Sequence, residues 1–417
     1  MAEPKFEPTE PWFGVRRDSE PNPTPPNHGP VCLIPFRFRR NPRTDLTHAC
    51  HRLGNRFARS PSLPVKHPDS LRRFRLHHQW LARPAKRHPA EIVAHFGAVQ
   101  AQDFAMAKWA LALRSPDLTD AQAGGAFDAG KILRTHALRA TWHFVTPADI
   151  RWLLQLTGPR IRAQMQYNDR LHGVDAAQLR RCRKVIVRAL RGDNFLTRDE
   201  LQAEFARHRI SIAGTGLALV MIHAELDALV CSGPRRGKQS TYALLDERVP
   251  TGPLLDREAA IAELARRYFR SHGPATDRDF SWWSGLTLTD ARAGIASLGR
   301  EFACMIWDGS KYHFVAGAEP AAVRGAWLLP NYDEFTVAYA DRSLLIGPDF
   351  PAARNPRSDP IFTNVILVNG LLAGTWRRTL TKREAKVSLS PFSSPAAAAS
   401  RTIARAKNRF RAFALRP

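Results

Sequence analysis

The chain has 417 residues, of which 44% are hydrophobic, and it carries 62 Lys and Arg against 38 Asp and Glu, a net charge of +24. This length allows roughly two to four domains, and the apolar fraction is typical of a globular protein rather than a disordered one. The excess of positive charge favours a polyanionic partner such as nucleic acid, although an arginine-rich, GC-biased genome would also produce it.

The cysteines and the apolar runs exclude further classes of protein. Five cysteines lie far apart without a Cys-x-x-Cys pair, so we expect neither a disulfide framework nor a zinc site. We also expect no other metal and no cofactor. No apolar run approaches the roughly 18 residues of a membrane span, and the proline-rich N-terminus has no signal-peptide core. The sequence therefore predicts a reduced, cytoplasmic protein without membrane contact.

Residues 1–70 are predicted to be a disordered tail. They hold 13 of the 31 prolines, and no helical or strand period continues in them for more than a few residues. A start codon assigned too far upstream would leave the same pattern.

The first folded unit, residues 71–170, begins with helices and ends in a hairpin. Pro89 opens a helix whose apolar stripe runs into the pair Gln100 and Gln102. Residues two apart share a face only on extended chain, so the pair is predicted to lie in a loop or at a helix end and to be exposed in a cleft. Alternating residues predict a hairpin over 132–145, whose exposed side carries Arg139, Thr141 and His143.

The second unit, residues 171–250, has the pattern of a winged helix. Thr197 and Glu200 form a capping box, and two short helices meet across a glycine turn before a hairpin near 229–245. The hairpin tip carries three cations, Arg235, Arg236 and Lys238. An ordinary helical subdomain with a solvated loop is the alternative.

The third unit, residues 251–322, repeats helices followed by a hairpin at 302–315, and residues 323–417 contain short strand-like runs. The expected strands include 335–339 and 344–346, and a basic helix over 396–413 is expected to close the domain, either touching phosphate or simply facing solvent. The predicted fold is therefore α+β, with three tandem winged-helix units followed by a small C-terminal β-barrel.

Four stretches of this chain match a known family. They are Gly97-Ala-Val-Gln-Ala-Gln102, Arg134-Thr-His-Ala-Leu-Arg-Ala-Thr-Trp-His143, Leu329-Pro-Asn-Tyr-Asp-Glu-Phe335 with Asp341-Arg342, and Gly374-Thr-Trp-Arg-Arg378. With them the chain resembles the winged-helix DNA glycosylases of the AlkZ-like and YcaQ-like family. The resemblance implies three winged helices in a concave arc, a β-barrel, and a catalytic Gln-x-Gln at Gln100 and Gln102. One departure is Ala140, where the family has glycine.

The residue types restrict the chemistry. An amide neither accepts nor donates a proton at neutral pH, so a glutamine pair requires a base that leaves easily, such as one alkylated at N7 or N3 and already cationic. The amide oxygens would then orient water, with Asp103 as a candidate base and His143 as a candidate hydrogen-bonding partner of phosphate or water. A structural role is the alternative for each. The candidate DNA contacts are Arg134, Arg139, Thr141, Arg235, Arg236, Lys238, Arg377 and Arg378.

The predicted function is that of a monomeric, nucleoid-associated bacterial repair enzyme, a monofunctional DNA glycosylase acting on alkylated bases in double-stranded, damaged DNA. A winged-helix transcription regulator is the alternative. It would read the major groove with the helix near 215–230, whose polar residues His223, Glu225 and Asp227 match guanine and phosphate poorly. A scaffold protein that binds DNA by charge alone would need no glutamine pair.

Overall fold

The computed structural model describes residues 68–252, 254–318, 323–381 and 383–416. The predicted N-terminal tail therefore lies outside the described residues, except for its last three positions, which begin the first helix. The domain boundaries given above remain predictions.

The first unit places a three-stranded sheet against helices. Its strand order is β1-β3-β2, all antiparallel. Strands β2 and β3 form a hairpin, and β1 pairs with β3, the second strand of that hairpin. The elements are α1 (Pro68–His78), α2 (Pro89–Phe96), β1 (Val99–Gln100), α3 (Phe104–Arg114), α4 (Asp120–Asp128), β2 (Leu133–Ala137) and β3 (Thr141–Val145).

The second unit repeats this arrangement after a long connecting helix. Its sheet has the order β4-β6-β5, again with the short first strand paired to the second strand of a hairpin. The elements are α5 (Ile150–Leu171), α6 (Ala176–Leu190), β4 (Leu196–Thr197), α7 (Arg198–Arg207), α8 (Gly214–Leu226), β5 (Val230–Ser232), β6 (Thr241–Leu244) and α9 (Leu245–Arg248).

The third unit has the same order of elements, but a single β-bridge takes the place of its first strand. Ala275 pairs with His313 on the second hairpin strand, in the position that β1 and β4 occupy in the other two units. The elements are α10 (Arg257–His272), α11 (Asp277–Ser284), α12 (Leu288–Ala296), β7 (Phe302–Trp307) and β8 (Ser310–Val315). The three hairpins thus lie where the sequence predicted them.

The C-terminal part is an open antiparallel sheet of order β12-β11-β10-β9. Its elements are β9 (Ala326–Leu329), α13 (Glu334–Val337), a 3-10 turn (Ser343–Leu345), α14 (Asp359–Phe362), β10 (Val365–Val368), β11 (Leu371–Leu380), β12 (Ala385–Pro391) and α15 (Ala397–Leu415).

The predicted β-barrel is not closed in the described part of the chain, because β9 and β12 are not paired with each other. Two expected strands are also wrong. The run 335–339 instead forms most of α13, since the Asp333 side chain accepts the Phe335 N–H at 2.9 Å and starts a helical turn. The run 344–346 lies largely in the 3-10 turn. With these segments helical, too few strands remain to close a barrel.

Two hydrophobic cores fix the first unit between its neighbours. One joins the second and third units to β2 and α5. The other joins α2 and α3 to the C-terminal sheet and α15. In the second core the Trp109 indole donates to the Leu328 carbonyl at 2.7 Å and packs edge-on against Phe410, 5.1 Å between ring centres. The segment that follows β1 is therefore held close to the end of β9.

Candidate active site

The four stretches that carry the family resemblance meet at one place. The Gln100 N–H donates to Glu334 Oε1 at 2.6 Å, across 234 positions of sequence. Gln100 also pairs with His143 across β1 and β3. On the other side, Arg378 Nη2 lies 3.8 Å from Asp103 Oδ2. A site assembled from four distant segments is a stronger indication of function than any one of these motifs.

The two glutamines differ in their environment. Gln100 is only 4% exposed, and its Oε1 accepts the backbone N–H of Gln102 at 2.8 Å. Gln102 is half-buried, and its Oε1 lies 3.4 Å from the Trp142 N–H, which is a weak hydrogen bond. β1 ends at Gln100, and Gln102 lies in the bend between β1 and α3. That the two residues act together remains a prediction. The expectation that both are exposed is wrong for Gln100, because Glu334 and β3 enclose it.

His143 is fully buried, so the predicted exposed face of this hairpin is wrong for it and for Thr141, which is 6% exposed. His143 Nδ1 lies 2.7 Å from the Thr141 carbonyl oxygen. Since a carbonyl can only accept, Nδ1 carries the proton and Nε2 carries a lone pair. Nε2 has no hydrogen-bond partner, and neither has the Thr141 hydroxyl. Burial lowers the pKa of His143 to about 4, which makes it a neutral acceptor at physiological pH.

Glu334 is a buried carboxylate behind Gln100 that the sequence analysis did not assign. Its Oε2 accepts from the Trp283 indole at 2.9 Å and from His272 Nε2 at 3.2 Å, while Oε1 accepts from Gln100. Burial alone would raise its pKa, but the hydrogen bonds from His272 and from the Gln100 N–H outweigh this effect and lower the pKa overall. Glu334 therefore carries a negative charge inside the protein.

Asp103 has a structural role that limits its use as a base. Its Oδ1 accepts the Met106 N–H at 3.1 Å and caps α3, and its Oδ2 faces Arg378. The carboxylate is thus held at the first turn of the helix that follows the glutamine pair.

The comparisons with known proteins decide the family. A family profile described as DNA glycosylase AlkZ-like matches residues 93–413, most of the chain. The chain belongs to the AlkZ-like DNA glycosylase family. It is similar to an interstrand DNA cross-link repair glycosylase of Streptomyces sahachiroi, at 23% identity over 322 residues that cover 73% of this chain and 85% of the relative. The solved structure of the DNA glycosylase AlkZ from the same organism has the same fold, with a TM-score of 0.66 and 20% identity over 83% of this chain and 96% of that one.

Two arginines that were predicted to contact DNA donate hydrogen bonds to the protein backbone around this AlkZ-like site. Arg134 donates to the carbonyl oxygens of Ala101 and Gln102 at 3.0 and 3.2 Å and lies 4.2 Å from the Trp142 ring centre. Arg139 donates to the Trp282 carbonyl at 2.9 Å and so joins the first hairpin to α11. Burial lowers the pKa of both guanidinium groups to about 10, and they remain charged at neutral pH.

The other predicted DNA contacts lie nearer the surface. Arg236 is exposed and pairs with Glu200 at 2.5 Å, while Arg235 lies 4.5 Å from the Phe104 ring centre, beside the site. Lys238 is exposed at the same tip, and Arg377 is exposed on β11. Their contacts with DNA remain predictions.

A buried ion pair that was not predicted from the sequence fixes the Glu334 segment. Arg114 donates through both terminal nitrogens to Asp333, each at 2.9 Å, and both side chains are buried. Asp333 and Glu334 are the acids of a largely apolar run, and two adjacent acids in such a run are a signal of buried partners.

No helix in the described ranges is long and apolar enough to cross a membrane.

Proposed function

We propose that this chain is a monofunctional DNA N-glycosylase that hydrolyses the glycosidic bond of cationic, alkylated bases in double-stranded DNA. The observation that carries the proposal is the convergence of the Gln-x-Gln segment, His143 and Glu334. Family membership supports DNA binding and glycosidic-bond hydrolysis, whereas the alkylated base and the residue roles are inferred from the site.

The site suits a substrate that needs no protonation of its leaving group. Near Gln100 the described residues offer amides, a neutral imidazole and a buried carboxylate rather than an acid poised to protonate a base. A base alkylated at N7 or N3 is already positively charged, so its bond to C1′ breaks with the electron pair going to the base. The sugar then develops positive charge and is captured by water.

The attacking water needs an acceptor, and His143 Nε2 is one. This atom is buried, unpartnered and directly across the strand pair from Gln100. In the proposed step the water oxygen bonds to C1′, the water proton moves to Nε2, and the base departs neutral. The amide oxygens of Gln100 and Gln102 each keep a second lone pair with which they orient the water.

The three repeated units are proposed to be winged helices that hold the DNA. Each has helices followed by a hairpin whose second strand pairs with an earlier segment. Beside the site lies a cleft of about 250 Å³ whose lining includes three aromatic and two cationic side chains, together with Asp199 and several neutral polar residues. The aromatic and cationic residues are Phe127, Trp142, Tyr242, Arg134 and Arg198. Such a lining suits a nucleotide turned out of the duplex, because its base can stack and its phosphate can be neutralised.

The transcription-regulator alternative is disfavoured by the position of α8. Residues along almost the whole of this helix are buried, so it has no free face to enter a major groove. Glu225 accepts from the His136 N–H and Nδ1 at 2.8 and 2.7 Å, and His223 contacts Asp169 at 3.0 Å. His223 and Glu225 are therefore used inside the protein, and Asp227 pairs with Arg162 at the surface.

Base release from a duplex with a single N7-methylguanine tests the proposal, with abasic sites scored by alkaline cleavage. We expect the wild type to release the base and Gln102→Ala to lose about 100-fold in rate. Gln202→Ala, the same change on α7, is the control and should match the wild type. A wild type that releases no base while still binding the duplex would refute the catalytic part. Because one relative is named for cross-link repair, a duplex joined through alkylated guanines is a second substrate to assay.

A further inference from the structure

Glu334 is the acidic side chain that lies immediately behind the glutamine pair. It is 1% exposed, and its three hydrogen-bond donors come from three parts of the chain. Gln100 belongs to β1, His272 ends α10, and Trp283 lies in α11. The carboxylate therefore joins the first unit, the third unit and the C-terminal part at one point.

The three hydrogen-bond donors to Glu334 bring no positive charge to it at neutral pH. Burial lowers the pKa of His272, and His272 Nδ1 already has a partner in the Ser271 hydroxyl at 2.8 Å. Arg139 and His143 are near enough to Glu334 to interact with it electrostatically, and Arg114 lowers the pKa of His272 in the same way. Since Arg114 is paired with Asp333, the charge of Glu334 is not cancelled by a contacting cation.

A buried negative charge favours a transition state that is positive. In hydrolysis of an N-glycosidic bond the sugar acquires oxocarbenium character, and the amides of Gln100 and Gln102 offer it dipoles but no charge. A fixed charge in a region of low dielectric acts on such a transition state far more strongly than it would in water.

We propose that Glu334 is a positioning residue for glycosidic-bond hydrolysis. It fixes the Gln100 peptide through the 2.6 Å hydrogen bond, and it holds a negative charge behind Gln100 that stabilises the positively charged sugar. This inference rests on the proposed glycosylase function.

Glu334→Gln removes the charge and presents an amide donor to the indole and imidazole donors. The control is Asp279→Asn, because Asp279 is also a buried carboxylate, 3% exposed, but accepts its hydrogen bonds from the backbone N–H groups of Thr276 and Ala340 rather than from the glutamine segment. Single-turnover excision, duplex affinity and the Gln100 amide proton shift are measured for the full chain.

We expect Glu334→Gln to lose at least about 10-fold in single-turnover rate while its duplex affinity stays within about twofold, since the effect belongs to the transition state. The Gln100 amide proton should move upfield as its short bond to a carboxylate is lost. Asp279→Asn should keep both the rate and the Gln100 shift. A Glu334→Gln rate equal to wild type, or an equal loss in Asp279→Asn, would overturn the inference.

If Glu334→Gln does not fold, Glu334→Asp provides the test, because it keeps the charge but is shorter by one methylene. A positioning role predicts a slower rate, an altered Gln100 shift and unchanged affinity in this variant. A purely structural role predicts a wild-type rate per folded molecule. Failure of the proposed function would appear as absence of excision by the wild type, whereas failure of this inference appears only in the variants.

Discussion

Replacing the two glutamines one at a time should change the free energy of unfolding and the rate of excision to different extents. In Gln100→Ala the N–H of the half-buried Gln102 loses its acceptor at 2.8 Å, the side chain of a residue that is only 4% exposed. A buried donor left unsatisfied costs about 1–3 kcal/mol, so we expect Gln100→Ala to lower the free energy of unfolding by about 2 kcal/mol. Gln102→Ala removes only the weak acceptor at 3.4 Å from the Trp142 N–H and should cost less than about 1 kcal/mol.

The catalytic effect should be similar in both variants. If each amide orients the attacking water, each single change should lower single-turnover excision by about 100-fold, and the double variant should lose less than the product because the two residues share one task. Affinity for undamaged duplex should survive in all three.

Urea unfolding and base release under single-turnover conditions measure the two effects, with Gln202→Ala as the control. Equal stability of the two alanine variants would contradict the inferred strength of the Gln100–Gln102 hydrogen bond. Wild-type excision by either variant would remove that glutamine from the active site and leave His143 as the candidate to test next.

Three further predictions concern charge, backbone strain and pH. Replacing the tip cations Arg235, Arg236 and Lys238 with Ala should reduce the slope of log affinity against log salt by up to roughly 0.9 per lost phosphate contact, and an unchanged slope would place the tip away from DNA. Ala140 adopts a left-handed conformation with φ of 60°, so Ala140→Gly should raise the free energy of unfolding by about 1 kcal/mol in urea, and a loss would show that its methyl group packs favourably. Burial lowers the pKa of several histidines from 6.5, to about 4 for His78, His143 and His313 and to about 3 for His95. Between pH 6.5 and about 4 the unfolded chain binds protons that the folded chain does not, so stability should fall as pH falls through this window, and a flat profile would contradict the burial of these rings.

The sequence by itself determined the local elements and the family. The capping box predicted at Thr197 is formed, and Thr119 and Thr276 form further boxes with the same spacing. Asp308-Gly309 and Asn369-Gly370, which are typical turn pairs, connect antiparallel strands. These features depend on hydrogen bonds between residues two to four positions apart and on backbone preferences of single residues, which a sequence displays directly.

Only the tertiary structure decided how the site is built. Gln100 is buried because Glu334 and β3 cover it, Arg134 supports the glutamine segment from behind, and an expected strand became α13. Each outcome depends on partners distant in sequence, as between Gln100 and Glu334 or Arg114 and Asp333. A polar residue can have the same neighbours in sequence whether it faces solvent, DNA or a buried partner. The packing of the units against each other decides which of these environments it has.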